Sequence, residues 1–361
     1  MKLKTWIEIN QKAAIHNIGV FRGLIGPKVK LASVVKSNAY GHGLYDYAVI
    51  VSSGVDYFCV DSVFEAETLR KHNIKKPILV LGMTLSSNYD VVIKNNCAIT
   101  ISNINALKDW IKSKNKPKIH IKIDTGMNRQ GFFINEIPQV IKLVTRNMLH
   151  VTCVEGIYTH FSSAKDINYP TYTEMQFQKF QKAIALFAKK GFTKLIKHAA
   201  ASSATILNPK YHFDMVRIGM GLYGHAPSKE IKIQFPQIKL KPVLRWKTII
   251  SEIKEAPKGS YVSYDLTERL NRKTKIGILP IGYWHGLPWA LSGVGDVIIN
   301  NERAKILGRV TMDVVMVDVT DIACKIMDKV EIDIIDASFK ARTSYYEFLT
   351  RINPLIERII V

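Results

Sequence analysis

A chain of 361 residues with 47% apolar and 22% charged residues is long enough for about two domains, and it lies outside the disordered and fibrous classes. Lys and Arg outnumber Asp and Glu by 51 to 30, a formal charge of +21. The lysines are dispersed, and no basic arm, zinc finger or aromatic RNA-binding signature accompanies them, so a Lys-rich surface attracting anionic ligands is expected and a nucleic-acid partner is not.

No apolar run approaches the ~18 residues of a membrane span. The start, MKLKTWIEIN, lacks the apolar core of a secretory leader, so a cytoplasmic protein with no membrane partner is expected. Cys59, Cys97, Cys153 and Cys324 are far apart in sequence, without metal or redox spacing, so they read as reduced thiols and no metal site is expected.

A strand-like run over 5–9 precedes the first helix. From there to about residue 225, β-type runs alternate with helical stretches: 31–35, 57–60, 77–81, 98–101, 118–123, 154–159, 196–199 and 215–218. Ser62 with Glu65 forms a capping box. Phe177, Phe180, Ile184 and Phe187 repeat at helical spacing, and Gly191 stops that helix. Eight β-then-α units predict a (β/α)8 barrel of the TIM type over 9–232. A doubly wound sheet is the rival, but no GxGxxG follows the first run. Beyond residue 233 the rhythm is of strands alone, over 244–254, 275–279, 296–299, 304–310, 316–319 and 330–334. A mainly β C-terminal domain over 233–361 is expected, joined by the N-terminal strand within 1–8.

Reactive groups of such barrels gather at the C-terminal strand ends. Those ends carry Lys36, Asp124, His160, the run from His198 to Ser203, and Arg217. In the fifth strand Lys118, His120, Lys122 and Asp124 alternate with isoleucines, which sends the charged set toward the barrel axis; a solvated edge strand reads the same way. Lys36 follows Leu31, Val34 and Val35, and a desolvated lysine has a lowered pKa and a free amine able to form a Schiff base, although most strand-end lysines stay wet. Ser202–Ser203 and Gly219–Met220–Gly221 are small enough to bring backbone N–H groups to a phosphate, and equally suit a helix cap and turns. A Schiff-base lysine opposite a phosphate cradle fits pyridoxal 5'-phosphate.

At this point the strings VVKSNAYGHG, KIDTGMNRQGF, YTHFSSA, VRIGMGLYG, VSYDLT, LPIGYWHG and GRVTMDVVMVDVT resemble, in order and along nearly the whole chain, those of the alanine racemase family. The resemblance implies a pyridoxal-phosphate enzyme that interconverts L- and D-alanine and supplies D-alanine for peptidoglycan. It acts as a homodimer with shared active sites. Lys36 would hold the cofactor and serve as one acid/base group, and Tyr264 of the partner subunit would serve as the other. His160 and Arg217 would support them, with Arg217 also bonding the cofactor's ring nitrogen; an arginine cannot take up a proton, so that nitrogen would stay neutral. Tyr40, Ser203, Gly219 and Met220 match phosphate contacts. Arg129, Tyr283 and Met312 match substrate contacts. Lys122 matches a position that is carbamylated in some members, and a plain Lys122–Asp124 pair is the alternative. A broad-specificity racemase for serine or basic amino acids is the alternative function. The chain departs from the family's frequent pattern at Ser202, His285, Thr311 and Pro354.

Overall fold

The computed structural model describes residues 2–361. The chain forms two compact units. One comprises Lys12–Lys36 and Tyr47–Pro242; the other comprises the residues up to Gln11, Ser37–Asp46 and Val243–Val361. β1 (Thr5–Ile9) belongs to the second.

The first unit is the expected barrel. Its parallel strands are β2 (Lys30–Val34), β3 (Tyr57–Val60), β4 (Ile78–Val80), β5 (Cys97–Ile101), β6 (Lys118–Lys122), β7 (Val154–Tyr158), β8 (Ile196–His198) and β9 (Met215–Ile218). They run β8-β7-β6-β5-β4-β3-β2-β9 around the sheet. Asp214 N–H donates to Lys197 C=O at 3.0 Å and Arg217 N–H to Ala200 C=O at 2.9 Å, which draws β8 and β9 together. Strands covered on both faces read as continuous apolar runs, and every residue of β3, β4 and β5 is buried. Ser62 and Glu65 make the expected capping box. The helix Thr171–Ala188 buries Phe177, Phe180 and Phe187, and Gly191, at φ +88°, turns the chain beyond it. Truncating the fully buried Phe180 to alanine would cost about 3–5 kcal/mol.

The second unit contains β10 (Leu244–Ile249), β11 (Glu252–Ala256), β12 (Tyr261–Val262), β13 (Glu268–Arg269), β14 (Thr274–Leu279), β15 (Asp296–Ile299), β16 (Glu302–Leu307), β17 (Val315–Asp318), β18 (Lys329–Ile332) and β19 (Arg358–Ile360). Nine strands form one sheet in the order β11-β14-β17-β16-β15-β18-β10-β1-β19. β1 lies between β10, antiparallel to it, and β19, parallel to it.

Three expectations are corrected. The run 244–254 is two strands, because β10 pairs with β1 and β18 whereas β11 pairs with β14 at the far edge. The run 304–310 ends at Leu307, because Gly308 takes φ +64° and a Cβ there would meet the Val262 carbonyl oxygen at 2.4 Å. Strands are not alone: helices Ile334–Lys340 and Tyr345–Thr350 follow β18, each begun by a side-chain cap, Asp333 accepting from Asp336 N–H and Ser344 from Glu347 N–H. Among the described residues no helix is long and apolar enough to cross a membrane, and no His/Cys/Asp/Glu group could hold a metal. All four cysteines are free.

Candidate active site

β2 ends at Val34, and Lys36 follows at the barrel's C-terminal mouth. Its side chain is 37% exposed and its Nζ lies 3.2 Å from Asp61 Oδ1. Its apolar neighbours in sequence therefore do not enclose it. The chain then makes a left-handed turn, with Ser37, Asn38, Ala39 and Tyr40 at φ between 50° and 55°. Each such residue with a Cβ costs about 1–2 kcal/mol. The turn is held by Gly43 N–H to Asn38 C=O at 3.1 Å, Leu44 N–H to Asn38 Oδ1 at 2.8 Å, and Arg358 Nη2 to Gly41 C=O at 3.0 Å. Four consecutive residues directly after the candidate lysine are thus strained, as segments at functional sites often are.

The buried, depressed amine is Lys122. It is 6% exposed and donates to Gln130 Oε1 at 2.9 Å; burial, with Arg129 and Arg217 nearby, lowers its ammonium to about 8. Asp124 is not its ion-pair partner. The Asp124 carboxylate accepts from the N–H groups of Gly126, Asn128 and Arg129 at 2.9–3.0 Å. Burial alone would raise this carboxyl, but the backbone donors outweigh it and hold it below the usual range. The same bonds fix the loop that presents Arg129, whose side chain is exposed.

Arg217 ends β9 and is 4% exposed. Its Nη2 donates to Thr159 C=O at 2.8 Å and Ala199 C=O at 3.1 Å and shares a longer contact with His160 Nδ1 at 3.3 Å, and its Nη1 donates to His198 Nδ1 at 2.6 Å. None of these bonds uses its Nε–H. His160 is neutral: burial and the charges of Arg217, Arg129, Lys122 and Lys36 hold it at about 3. Since its Nδ1 accepts from Arg217, its proton is on Nε2. In the loops after β8 and β9, Ser202 Oγ accepts from Gly221 N–H at 3.2 Å, so the departure at position 202 ties the two candidate phosphate segments together. A Cβ at Gly221 would meet the Phe21 ring at 2.4 Å.

Buried neutral histidines make the fold acid-sensitive. Burial also holds His225 at about 4. Once unfolded, both rings titrate near ~6.5, so between pH ~6.5 and ~4 the unfolded chain binds more protons and stability falls as pH falls. The urea midpoint at pH 5 is expected below that at pH 7, with His225→Asn narrowing the gap; equal midpoints would contradict this.

In the second unit Tyr264, Asp265, Tyr283, Trp289, Arg309, Val310 and Thr311 line a pocket of about 270 Å³. Tyr264 is 68% exposed. Its neighbour Ser263 lies at φ 67°, ψ −163°, a region nearly confined to glycine, and Asp265 and Leu266 are also at positive φ. Ser263 Oγ donates to Arg309 C=O at 3.0 Å, and Arg309 pairs with Asp265 at 3.4 Å, which holds this strained loop in place. Tyr283 N–H donates to Thr311 C=O at 2.9 Å, bringing the Tyr283 and Met312 segments side by side. Thr311 Oγ1 donates to Val314 C=O and closes the turn carrying Met312. His285 Nδ1 accepts from Gly282 N–H at 3.1 Å, giving the departure at 285 a turn-closing role. Tyr40 packs on Tyr346 with ring centroids 6.2 Å apart, while Pro354 lies exposed in the turn before β19, its C=O accepting from Arg358 Nη1.

A parallel barrel and a mainly β unit define the architectural class, a two-domain barrel protein. The family descriptions "Alanine racemase, N-terminal domain" and "Alanine racemase, C-terminal domain" match residues 9–227 and 243–360. An alanine racemase of Leptospira interrogans is 35% identical over 99% of this chain and 96% of its own, and one of Halothermothrix orenii is 37% identical over 98% and 96%. A solved alanine racemase of Bacillus anthracis with bound L-Ala-P superposes at TM-score 0.93, with 30% identity over 100% of this chain and 96% of its own. The chain belongs to the alanine racemase family.

Proposed function

We propose that this protein interconverts L- and D-alanine with pyridoxal 5'-phosphate, as a cytoplasmic homodimer that supplies D-alanine for peptidoglycan. The observation that carries this reading is the charge at the barrel mouth. Lys36, Lys122, Arg129 and Arg217 all act on one neutral histidine, and the Asp124 carboxylate among them is engaged by backbone donors. A cationic mouth fits a phosphate-bearing cofactor together with an amino-acid carboxylate. The donor set fits that cofactor: an exposed primary amine at Lys36, the Nε–H of Arg217 for the ring nitrogen, and Ser203, Gly219 and Met220 for the phosphate.

Bound there, the cofactor supplies an electron sink for the charge left when the substrate α-proton departs. The protein's own groups handle that proton. The Lys36 amine takes and returns it on one face, and the Tyr264 phenol of the partner subunit does so on the other. Neutral His160 donates its Nε2–H, and fixed Arg217 holds that imidazole in place. Arg217 has no acceptor and no transferable proton at neutral pH, so it binds and orients without relaying. Arg129 takes the substrate carboxylate, and the partner's Tyr283 and Met312 wall the substrate side. Assaying a panel of L-amino acids for their D-enantiomers tests the reading. Alanine is expected to turn over fastest; a serine or basic substrate that outruns it would move the reading to a broad-specificity racemase.

Lys122 is proposed to carry a carbamate. A buried ammonium with no carboxylate partner is expensive, and an amine at about 8 has roughly a tenth of its population free at pH 7. Attack of that amine on carbon dioxide forms the N–C bond, releases one proton and leaves an anion among Arg129 and Arg217. A carbon-13 NMR resonance from labelled bicarbonate, absent in Lys122→Met, is the expected outcome; identical spectra would refute it.

A further inference from the structure

Arg217 is a buried guanidinium that forms no ion pair among the described residues. Its Nη1 bond starts a chain that crosses the barrel interior. Arg217 Nη1 lies 2.6 Å from His198 Nδ1, His198 Nε2 lies 2.8 Å from His120 Nδ1, and His120 Nε2 lies 3.4 Å from Glu155 Oε2. Glu155 also accepts from Tyr57 and Lys118, each at 2.9 Å.

The proton positions on this chain follow from valence. Arginine only donates, so His198 Nδ1 carries no proton and its Nε2 does. His120 Nδ1 must then accept, and its proton faces Glu155. Both rings are fully buried, and burial with the Arg217 charge keeps them neutral. Burial alone would raise Glu155, but its hydrogen bonds from His120, Lys118 and Tyr57 hold the carboxyl at about 2, an acceptor at every working pH. The opposite phase of the chain would turn an N–H of His198 against an N–H of Arg217. The donor-only guanidinium at one end and the acceptor-only carboxylate at the other demand the same phase. The fold makes room for this arrangement: a Cβ at Gly156 would meet His120 Nδ1 at 2.4 Å. Tyr158 stacks on His198 at 4.7 Å and 5°, fixing its plane.

We propose that Glu155, His120 and His198 are positioning residues for Arg217: the carboxylate at the chain's far end holds both imidazole tautomers in the one phase the guanidinium can bond, and thereby holds the orientation of that guanidinium at the mouth. This rests on the racemase reading for its kinetic consequence and on geometry alone for its tautomers.

The test uses the full chain with added pyridoxal 5'-phosphate, nitrogen-15 labelled at histidine. In the wild type both rings should be neutral with the proton on Nε2; a proton on Nδ1 of either ring would overturn the proposal, and no variant has to fold for that result. Glu155→Gln keeps a carbonyl oxygen for His120 and Tyr57 while Lys118, 57% exposed, turns to water. It should preserve the tautomers and a near wild-type kcat. Glu155→Met fills the same space without an acceptor. It should scramble the His120 tautomer and lower kcat roughly tenfold, as loss of an outer partner of a reactive group does, with KM for alanine little changed. Wild-type tautomers and kcat in Glu155→Met would overturn the proposal. Tautomers as assigned in the wild type and scrambled in Glu155→Met, in a protein that racemises no alanine, would sustain the relay and sink the racemase reading.

Discussion

Lys36→Ala is expected to yield a folded protein that no longer retains the yellow absorbance of bound cofactor and whose racemisation falls by at least ~10³-fold. The side chain supplies two things at once, the covalent tether and the acid/base group on one face, so the loss exceeds that of either alone. It lies at the mouth with 37% of its surface open and one ion pair, to Asp61, so removing it leaves no buried cavity. Thermal unfolding should therefore change little. Retention of the visible band in Lys36→Ala would remove this lysine from the site.

Tyr264→Phe is expected to keep the colour and lose roughly 10²–10⁴-fold in turnover. The two enantiomers have equal free energy in water, so kcat/KM must fall equally in both directions, and net racemisation cannot show which face the phenol serves. Isotope exchange can. In deuterated water D-alanine should go on exchanging its α-proton through Lys36, while exchange of L-alanine should collapse; equal collapse would contradict the assignment. The trans arrangement has its own result. Equal mixing of Lys36→Ala and Tyr264→Phe subunits gives hybrids with one complete site each, and about one quarter of wild-type activity should return for a C2 dimer. A tyrosine serving its own subunit would restore none. The 68% exposure of Tyr264 on a loop of strained residues suits a group that works against another surface.

Much of the barrel can be read from periodicity, because strands such as β3, β4 and β5 are short apolar runs bounded by helix signals such as Ser62 and Glu65. The alternation in β6 also places its polar set: His120 and Lys122 are both buried. The partners of those groups are a different matter. His120 meets His198 across 78 residues of chain, and no local pattern encodes that contact. A single glycine inside β7, beside Glu155, is the one available clue, since a glycine within a strand often marks a close approach. The burial expected of Lys36 fails for a related reason. Apolar neighbours in sequence do not bury Lys36, because the chain reverses its handedness at once after it. Lys122 is buried by β6's own inward register and by Gln130 folding back over it. The left-handed turn at Ser37–Tyr40 contains no glycine, so composition gives no warning of it.

The placement of β1 has a consequence for synthesis. β1 sits in a sheet whose other members follow the whole barrel in sequence, with Ile7 N–H bonded to Glu357 C=O and Val361 N–H to Ile9 C=O. That sheet closes on contacts more than 300 residues apart, so its pairing carries a large loop-closure cost and is slow. Until β10 and β19 have been made, β1 has no partner on either side.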